Sequence, residues 1–395
     1  MEHNKLIFSK VPTLRFAEYT DEWHKYALSD FVTRITRRNK NNESSLPLTI
    51  SAQYGLVDQI TFFNKTVASV DLSGYYLLYN GDFAYNKSYS NDYAWGAVKR
   101  LDKYEKGCLS SLYFVFRPTD KVDSDYLTHY FETSKWHKGI SDIAGEGARN
   151  HGLLNMAVDD YFATKHYLPS SSEQKKIACF LNLITKRIEI QNKIISDLKV
   201  LKKELCNKVF SKDSAVRLGD FIEEVTTRNK SNSCENVLSV SNKMGFIKQS
   251  EQFEDRTVAS ENKSNYKVVT EGCFAYNPAR INVGSIALLS TYKIGIISPM
   301  YVCFKTKSSL DSEYLNLYYQ SVFFYKELQK KLEGSVRQCL TYENMSEIII
   351  PYVSIEQQKA IAATLNKFAT LIANEEKYLK SLQKQKSYFL NVMFI

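Results

Sequence analysis

The stretch Ser170–Lys212, SSSEQKKIACFLNLITKRIEIQNKIISDLKVLKKELCNKVFSK, decides the architecture. Counting from Ile177, the residues Leu181, Ile184, Ile188, Gln191, Ile195, Leu198, Lys202, Leu205 and Val209 follow at alternating steps of four and three. That period near 3.5 is the seam of a coiled coil and fits neither a strand nor a loop. Ser170 with Glu173 has the spacing of a capping box, and Pro169 stops anything helical before it. At about 1.5 Å per residue the helix would be on the order of 55–60 Å long, more than a small domain is wide. Gln191, a polar residue in the seam, costs stability and fixes register.

The pattern returns at the end of the chain. Ser354–Phe394 reads SIEQQKAIAATLNKFATLIANEEKYLKSLQKQKSYFLNVMF, with seam positions Ile361, Leu365, Phe368, Ile372, Glu375, Leu379, Leu382, Lys386, Phe389 and Met393. The steps are the same. Ser354 with Gln357 repeats the cap after Pro351, and Glu375 and Lys386 match the polar Gln191 and Lys202. Shared caps, phase and polar interruptions set these helices apart from two unrelated surface helices.

The regions before each helix are also copies. Leu28-Ser29-Asp30-Phe31-Val32 matches Leu218-Gly219-Asp220-Phe221-Ile222, and Arg38-Asn39-Lys40 matches Arg228-Asn229-Lys230. Gly81-Asp82-Phe83-Ala84-Tyr85-Asn86 matches Gly272-Cys273-Phe274-Ala275-Tyr276-Asn277, and SSLYFVF at Ser110–Phe116 matches SPMYVCF at Ser298–Phe304. The expected organisation is an N-terminal segment 1–25 packing on the first domain, a domain 26–169, a spacer helix 170–212, a domain 213–353 and a spacer helix 354–395. Short runs such as Leu112–Phe116, Ile286–Leu289 and Val302–Phe304 read as strands bounded by Gly, Asn and Ser turns. Asp123–Lys138 and Asp311–Leu332 read as helices. The fold class is therefore α+β. If the two seams pack on each other, the second helix must run back antiparallel, which creates an internal pseudo-two-fold repeat.

A chain of 395 residues has room for two or three cored domains. Its net charge of +9 and its 27 Tyr suit a nucleic-acid surface, where phosphates need cations and bases stack on rings. The 7 cysteines are scattered without C-x-x-C spacing, which argues against a disulfide framework and a zinc cluster. No window is apolar enough to span a bilayer, and the start MEHNKLIFSKVPTLRF lacks an apolar leader core, so a cytoplasmic protein without a membrane partner is expected. There is no phosphate loop, no dinucleotide fingerprint and no H-E-x-x-H helix. Asn277-Pro278-Ala279-Arg280 departs from the N-P-P-Y loop of amino-methyltransferases at the second proline and the aromatic. No catalytic residues and no metal ligands are read.

Two related domains on a rigid spacer present two related surfaces at a set spacing, the geometry on which paired DNA-reading modules work. Candidate contacts lie in turn-flanked polar stretches. In the first copy they are Arg34, Arg37, Arg38, Lys40, Gln53, Tyr54, Tyr85, Asn86, Lys87, Arg149, Asn150 and His151. In the second they are Arg228, Lys230, Lys243, Tyr276, Asn277, Arg280, Arg337 and Gln338. Arg suits guanine edges, Asn and Gln suit adenine, and Lys suits phosphate. Phe83 and Phe274 fit a core better than a contact. The residues leave two other classes open, a coiled-coil scaffold that binds proteins and a modification enzyme with a fused catalytic region.

The whole chain resembles the specificity subunit of type I restriction–modification systems. The resemblance rests on the duplicated order and on GDFAYNKS at Gly81–Ser88, GARNHGLLN at Gly147–Asn155, GSVRQCLT at Gly334–Thr341, SPMYVCF, and the helix starts SSEQKKIA and IEQQKAIA. It implies two target recognition domains, each reading one half of a split, asymmetric site in double-stranded DNA. The helices would set the unread gap and dock two modification subunits, which use S-adenosylmethionine. Restriction subunits, which use ATP and Mg, would join to make the nuclease. It also implies that this chain holds no cofactor and is not itself an enzyme. The two copies differ at Lys87-Ser88 against Pro278-Ala279 and at Arg149-Asn150-His151 against Arg337-Gln338, as readers of different targets would.

Overall fold

A computed structural model describes residues 10–65, 67–88, 93–145, 152–211, 215–242, 244–252, 262–333 and 338–395. The chain divides into two compact units, the first built from two separate stretches of sequence and the second from one, and neither matches one expected domain. The first joins Met1–Gln191 to Tyr378–Ile395, and the second is Asn192–Lys377. Each takes part of both long helices. Among the described residues no helix is long and apolar enough to cross a membrane, and no group of three or more His, Cys, Asp or Glu is placed to hold a metal ion.

The first unit runs β1 (His24–Ala27), β2 (Val32–Arg34), β3 (Leu48–Ser51), β4 (Gly55–Asp58), α1 (Gln59–Phe63), β5 (Tyr76–Tyr79), β6 (Phe83–Asn86), β7 (Ala97–Arg100), β8 (Lys106–Leu109), β9 (Phe114–Pro118), α2 (Ser124–Tyr130), α3 (His137–Ile143), α4 (Val158–Ala163), β10 (Lys165–Leu168) and the start of α5 (Ser171–Phe210). The central sheet is antiparallel, in the order β2-β9-β6-β7. Strand alternation explains the F-A-Y and F-V-F motifs. Phe83, Tyr85, Phe114 and Phe116 face a core shared with the helices, while Ala84 and Val115 face a second core under the β3–β4 and β5–β8 ladders. Phe83 stacks on Phe116 with centroids 5.6 Å apart, and Tyr85 on Tyr161 at 4.7 Å. The expected helix Asp123–Lys138 is two pieces. It breaks after Tyr130, where Thr133 Oγ1 donates back to the Tyr130 carbonyl at 2.7 Å.

The start of α5 is fastened by residues far away in sequence. Glu173 N–H reaches Ser170 Oγ at 3.4 Å, but the Glu173 carboxylate does not return to complete the box. Instead it accepts two 2.7 Å bonds from Arg15 and one at 3.4 Å from Trp23 Nε1, in a site where Glu173 is 1% exposed. Leu14 N–H also caps the Val392 carbonyl at 3.0 Å, so residues of the N-terminal segment tie both helix ends. Buried Gln174 accepts from Asp123 N–H at 2.8 Å and donates to the Pro169 carbonyl at 3.0 Å. Phe394 packs on Tyr126 and Tyr130, with ring centroids at 5.3 and 6.0 Å.

The second unit completes α5 and runs β11 (Ala215–Arg217), β12 (Ile222–Glu224), β13 (Val237–Ser241), β14 (Gly245–Lys248), α6 (Gln249–Gln252), β15 (Lys267–Thr270), β16 (Phe274–Tyr276), β17 (Ile286–Leu288), β18 (Ile294–Ile297), β19 (Val302–Thr306), α7 (Ser312–Tyr318), α8 (Val322–Lys331), α9 (Tyr342–Ser346), β20 (Ile349–Pro351) and α10 (Ile355–Val392). Its central sheet is β12-β19-β16-β17, the order found in the first unit. Phe274, Tyr276 and Phe304 face the helix core, and Ala275 and Cys303 face the second core. Buried Gln358 accepts from Asp311 N–H at 2.8 Å and donates to the Val353 carbonyl at 2.8 Å. Phe210, at the end of α5, packs on Tyr314 and Tyr318 at 5.2 and 5.4 Å.

Candidate nucleic-acid interface

Several of the candidate residues are consumed by the fold. Tyr85 and Tyr276 are fully buried, and burial pushes both phenols well above their ordinary value. Their hydroxyls donate to the carbonyls of Trp95 at 2.9 Å and Thr341 at 3.0 Å, so neither ring is available to a base. Asn277 is also buried, and its Oδ1 accepts from Ala279 N–H at 3.1 Å to form a turn. Arg37 donates to the Leu77 carbonyl at 2.9 Å and to Asp82 at 2.7 Å, and lies over the Tyr79 ring. Asp82 is fully buried and is held by Arg117 as well, at 2.6 Å. Withdrawing either arginine would strand part of a buried charge. Arg38 and Arg228 each give one guanidinium N–H to a backbone carbonyl at 2.6 Å, of Gly74 and Asn265 respectively. Between Arg38 and Lys40, Asn39 is buried and closes its loop through Ser44. Asn229 does the same through Cys234.

The rest of the described candidates are at the surface. Arg34 is exposed at the end of β2, 4.0 Å from the exposed Asp159. Lys40, Lys230, Arg280 and Gln338 are exposed on loops. Gln53 and Tyr54 form the β3–β4 turn, with Tyr54 61% exposed. Asn86 ends β6 and Lys87 follows it, both half-buried. Asn86 Oδ1 accepts from Ser88 N–H at 2.9 Å, and Lys87 lies over the Phe114 ring. Arg149, Asn150, His151, Lys243 and Arg337 lie outside the described residues.

A cleft of about 610 Å³ in the first unit brings the candidate Gln53 together with residues that no motif marked. It is lined by Gln53, by β7, by the α2–α3 connection and by Gln383, Lys386 and Ser387. Gly96, at φ +78°, lets β7 approach β6 so closely that a Cβ there would meet the Asn86 carbonyl oxygen at 2.1 Å. Lys386, expected in a helix seam, leaves it and pairs with Glu132 at 2.8 Å. Burial would raise the Glu132 carboxyl, but His129 and the Lys386 ammonium outweigh that and hold it at about 2. Lys99 also lines the cleft, on β7 opposite Ala84, and burial pushes its ammonium below the usual lysine range. The only sequence signal for Lys99 was internal, since Ala287 occupies the matching place on β17 opposite Ala275.

The seam residues Ile177, Leu181, Ile195, Leu365, Ile372 and Leu382 are buried. Ile184, Ile188, Leu198, Leu205, Ile361, Phe368, Leu379 and Phe389 are half-buried.

Residues 211–384 match the family described as the type I restriction modification DNA specificity domain. Residues 211–384 therefore carry the type I specificity domain. A solved structure concerned with complex assembly and conformational transition of the type I R-M system is 15% identical to this chain, with a TM-score of 0.56 over 93% of this chain and 96% of that one. The S subunit of the type I restriction–modification system from M. genitalium is also 15% identical, with a TM-score of 0.54 over 98% of this chain and 99% of that one. Both likenesses establish the fold. No curated protein matches the chain.

Proposed function

We propose that each unit reads one half of a split, asymmetric DNA site, and that α5 and α10 pack antiparallel as the ruler that sets the unread gap. The observation that carries this reading is the common strand order of the two central sheets, which present different side chains at equivalent turns. An internal pseudo-two-fold is supported by paired details, Gln174 with Gln358 and Phe394 with Phe210. The antiparallel sense is supported within each unit. In the first, Phe180 meets Phe389 at 4.9 Å and Arg187 donates to the Tyr378 hydroxyl. In the second, Lys199 pairs with Glu376 at 2.6 Å. Along one helix the residue numbers rise as they fall along the other.

The chain supplies recognition, and methyl transfer and cleavage belong to modification and restriction subunits that carry S-adenosylmethionine, ATP and Mg. Docking of modification subunits on the helices is supported by apolar residues left at the surface, Leu183 and Ile190 in the first unit and Val200 and Leu201 in the second. Residues on the seam of a closed pair would not be so exposed.

Methylome sequencing of cells that express this chain with its modification partner tests the reading. A split motif with a methylated adenine in each half is expected. Deleting one heptad between Ile184 and Leu198 should shorten the gap and leave both halves unchanged. A single continuous motif, or half-sites altered by the deletion, would overturn the division of labour.

A further inference from the structure

We infer that the cleft of the first unit is a DNA phosphate site in which Lys99 is the principal cation. This rests on the DNA-reading function proposed above and adds to it a place where the backbone lies. Three observations carry it. First, Lys99 has no hydrogen-bond or ion-pair partner among the described residues, although it is half-buried. A half-buried ammonium without a partner costs free energy, and an anion entering the cleft would repay that cost. Second, Gln53, Gln383 and Ser387 converge on the same cleft with hydrogen-bonding side chains, a donor set suited to phosphate and sugar oxygens. Third, the one carboxylate that lines the cleft, Glu132, is already neutralised by Lys386, so Lys99 leaves the cleft with a net positive charge. The second unit has Ala287 at the matching strand position, so the contact belongs to the first half-site alone.

Fluorescence anisotropy with the full chain and a 40-base-pair duplex of arbitrary sequence, titrated at several salt concentrations, tests the inference. Lys99→Ala installs the residue that the second unit already carries in the same strand environment, so the fold should tolerate it. Loss of one phosphate contact should reduce the slope of log K against log salt by about 1. The affinity ratio of wild type to variant should then shrink about threefold between 50 and 200 mM salt. Lys99→Arg should keep the wild-type slope, and Lys99→Gln repeats the test if the alanine variant loses its circular dichroism. A variant slope equal to that of a salt-sensitive wild type would overturn the inference and leave the DNA-reading function standing. A wild type whose binding is flat in salt would overturn both.

Discussion

Lowering the pH from 7 to 5 should cost the folded state about 2 kcal/mol through His166 alone. The imidazole is 3% exposed and both nitrogens are committed. Thr164 Oγ1 gives its proton to the Tyr161 carbonyl at 2.7 Å, so it must accept from His166 Nε2–H at 2.8 Å. Nδ1 then accepts from the Tyr130 hydroxyl at 2.8 Å, and a second proton on the ring would meet a donor in a dry site. Burial brings the imidazole from 6.5 to about 4. Because the folded value is the lower one, the unfolded chain takes up the proton first. The stability is complete above pH 6.5 and is lost as the pH falls toward 4. The whole difference is worth about 3 kcal/mol, and about 2 kcal/mol of it is gone by pH 5. Urea denaturation of wild type and His166→Gln at pH 7, 6 and 5 measures it. The wild-type curve should fall more steeply with acid than that of the variant. Parallel curves, or an imidazole NMR signal of the folded protein titrating near 6.5, would refute the argument.

Glu132 should act in the same sense and in a lower window. Its folded value of about 2 lies below the unfolded one, so its contribution is present above pH 4.5 and lost as the pH falls toward 2. Glu132→Gln should cost about 2 kcal/mol at pH 6, after discounting for its partial exposure, and the gap to wild type should narrow to under half of that by about pH 3. Denaturation at the two pH values decides it. Tyr85→Phe and Tyr276→Phe should each cost about 1 kcal/mol through the lost carbonyl bond. Both should leave the methylated motif unchanged in the methylome assay, whereas a changed motif would return these rings to the DNA surface.

Much of the architecture was legible because it is periodic. The 3.5-residue steps of Ile177–Val209 and Ile361–Met393 mark two helices, and the repeated F-A-Y motifs mark the two central strands. The outcome for individual polar residues was not legible, because their partners are distant in sequence. Glu173 has the position of a capping residue, yet Arg15 claims its carboxylate across 158 positions. Tyr85 and Tyr276 lie in strands buried on both faces, and alternation turns their rings toward the helix core while Ala84 and Ala275 face the second core. Arg37 looks like a guanine reader until Asp82 is placed beneath it. Lys99 and Lys386 face one cleft although nearly three hundred residues separate them, and no local pattern joins them.

The central sheets also divide each unit energetically. Phe83 and Tyr85 commit one side of β6 to the helix core, and Ala84 alone touches the other. Substitutions in the β3–β4 and β5–β8 layer therefore share few partners with the residues that hold the helices, and their effects should add rather than couple. An exchange of the outer layer would then leave in place the residues that hold the helix ends, and the two sides of each sheet are free to evolve at different rates.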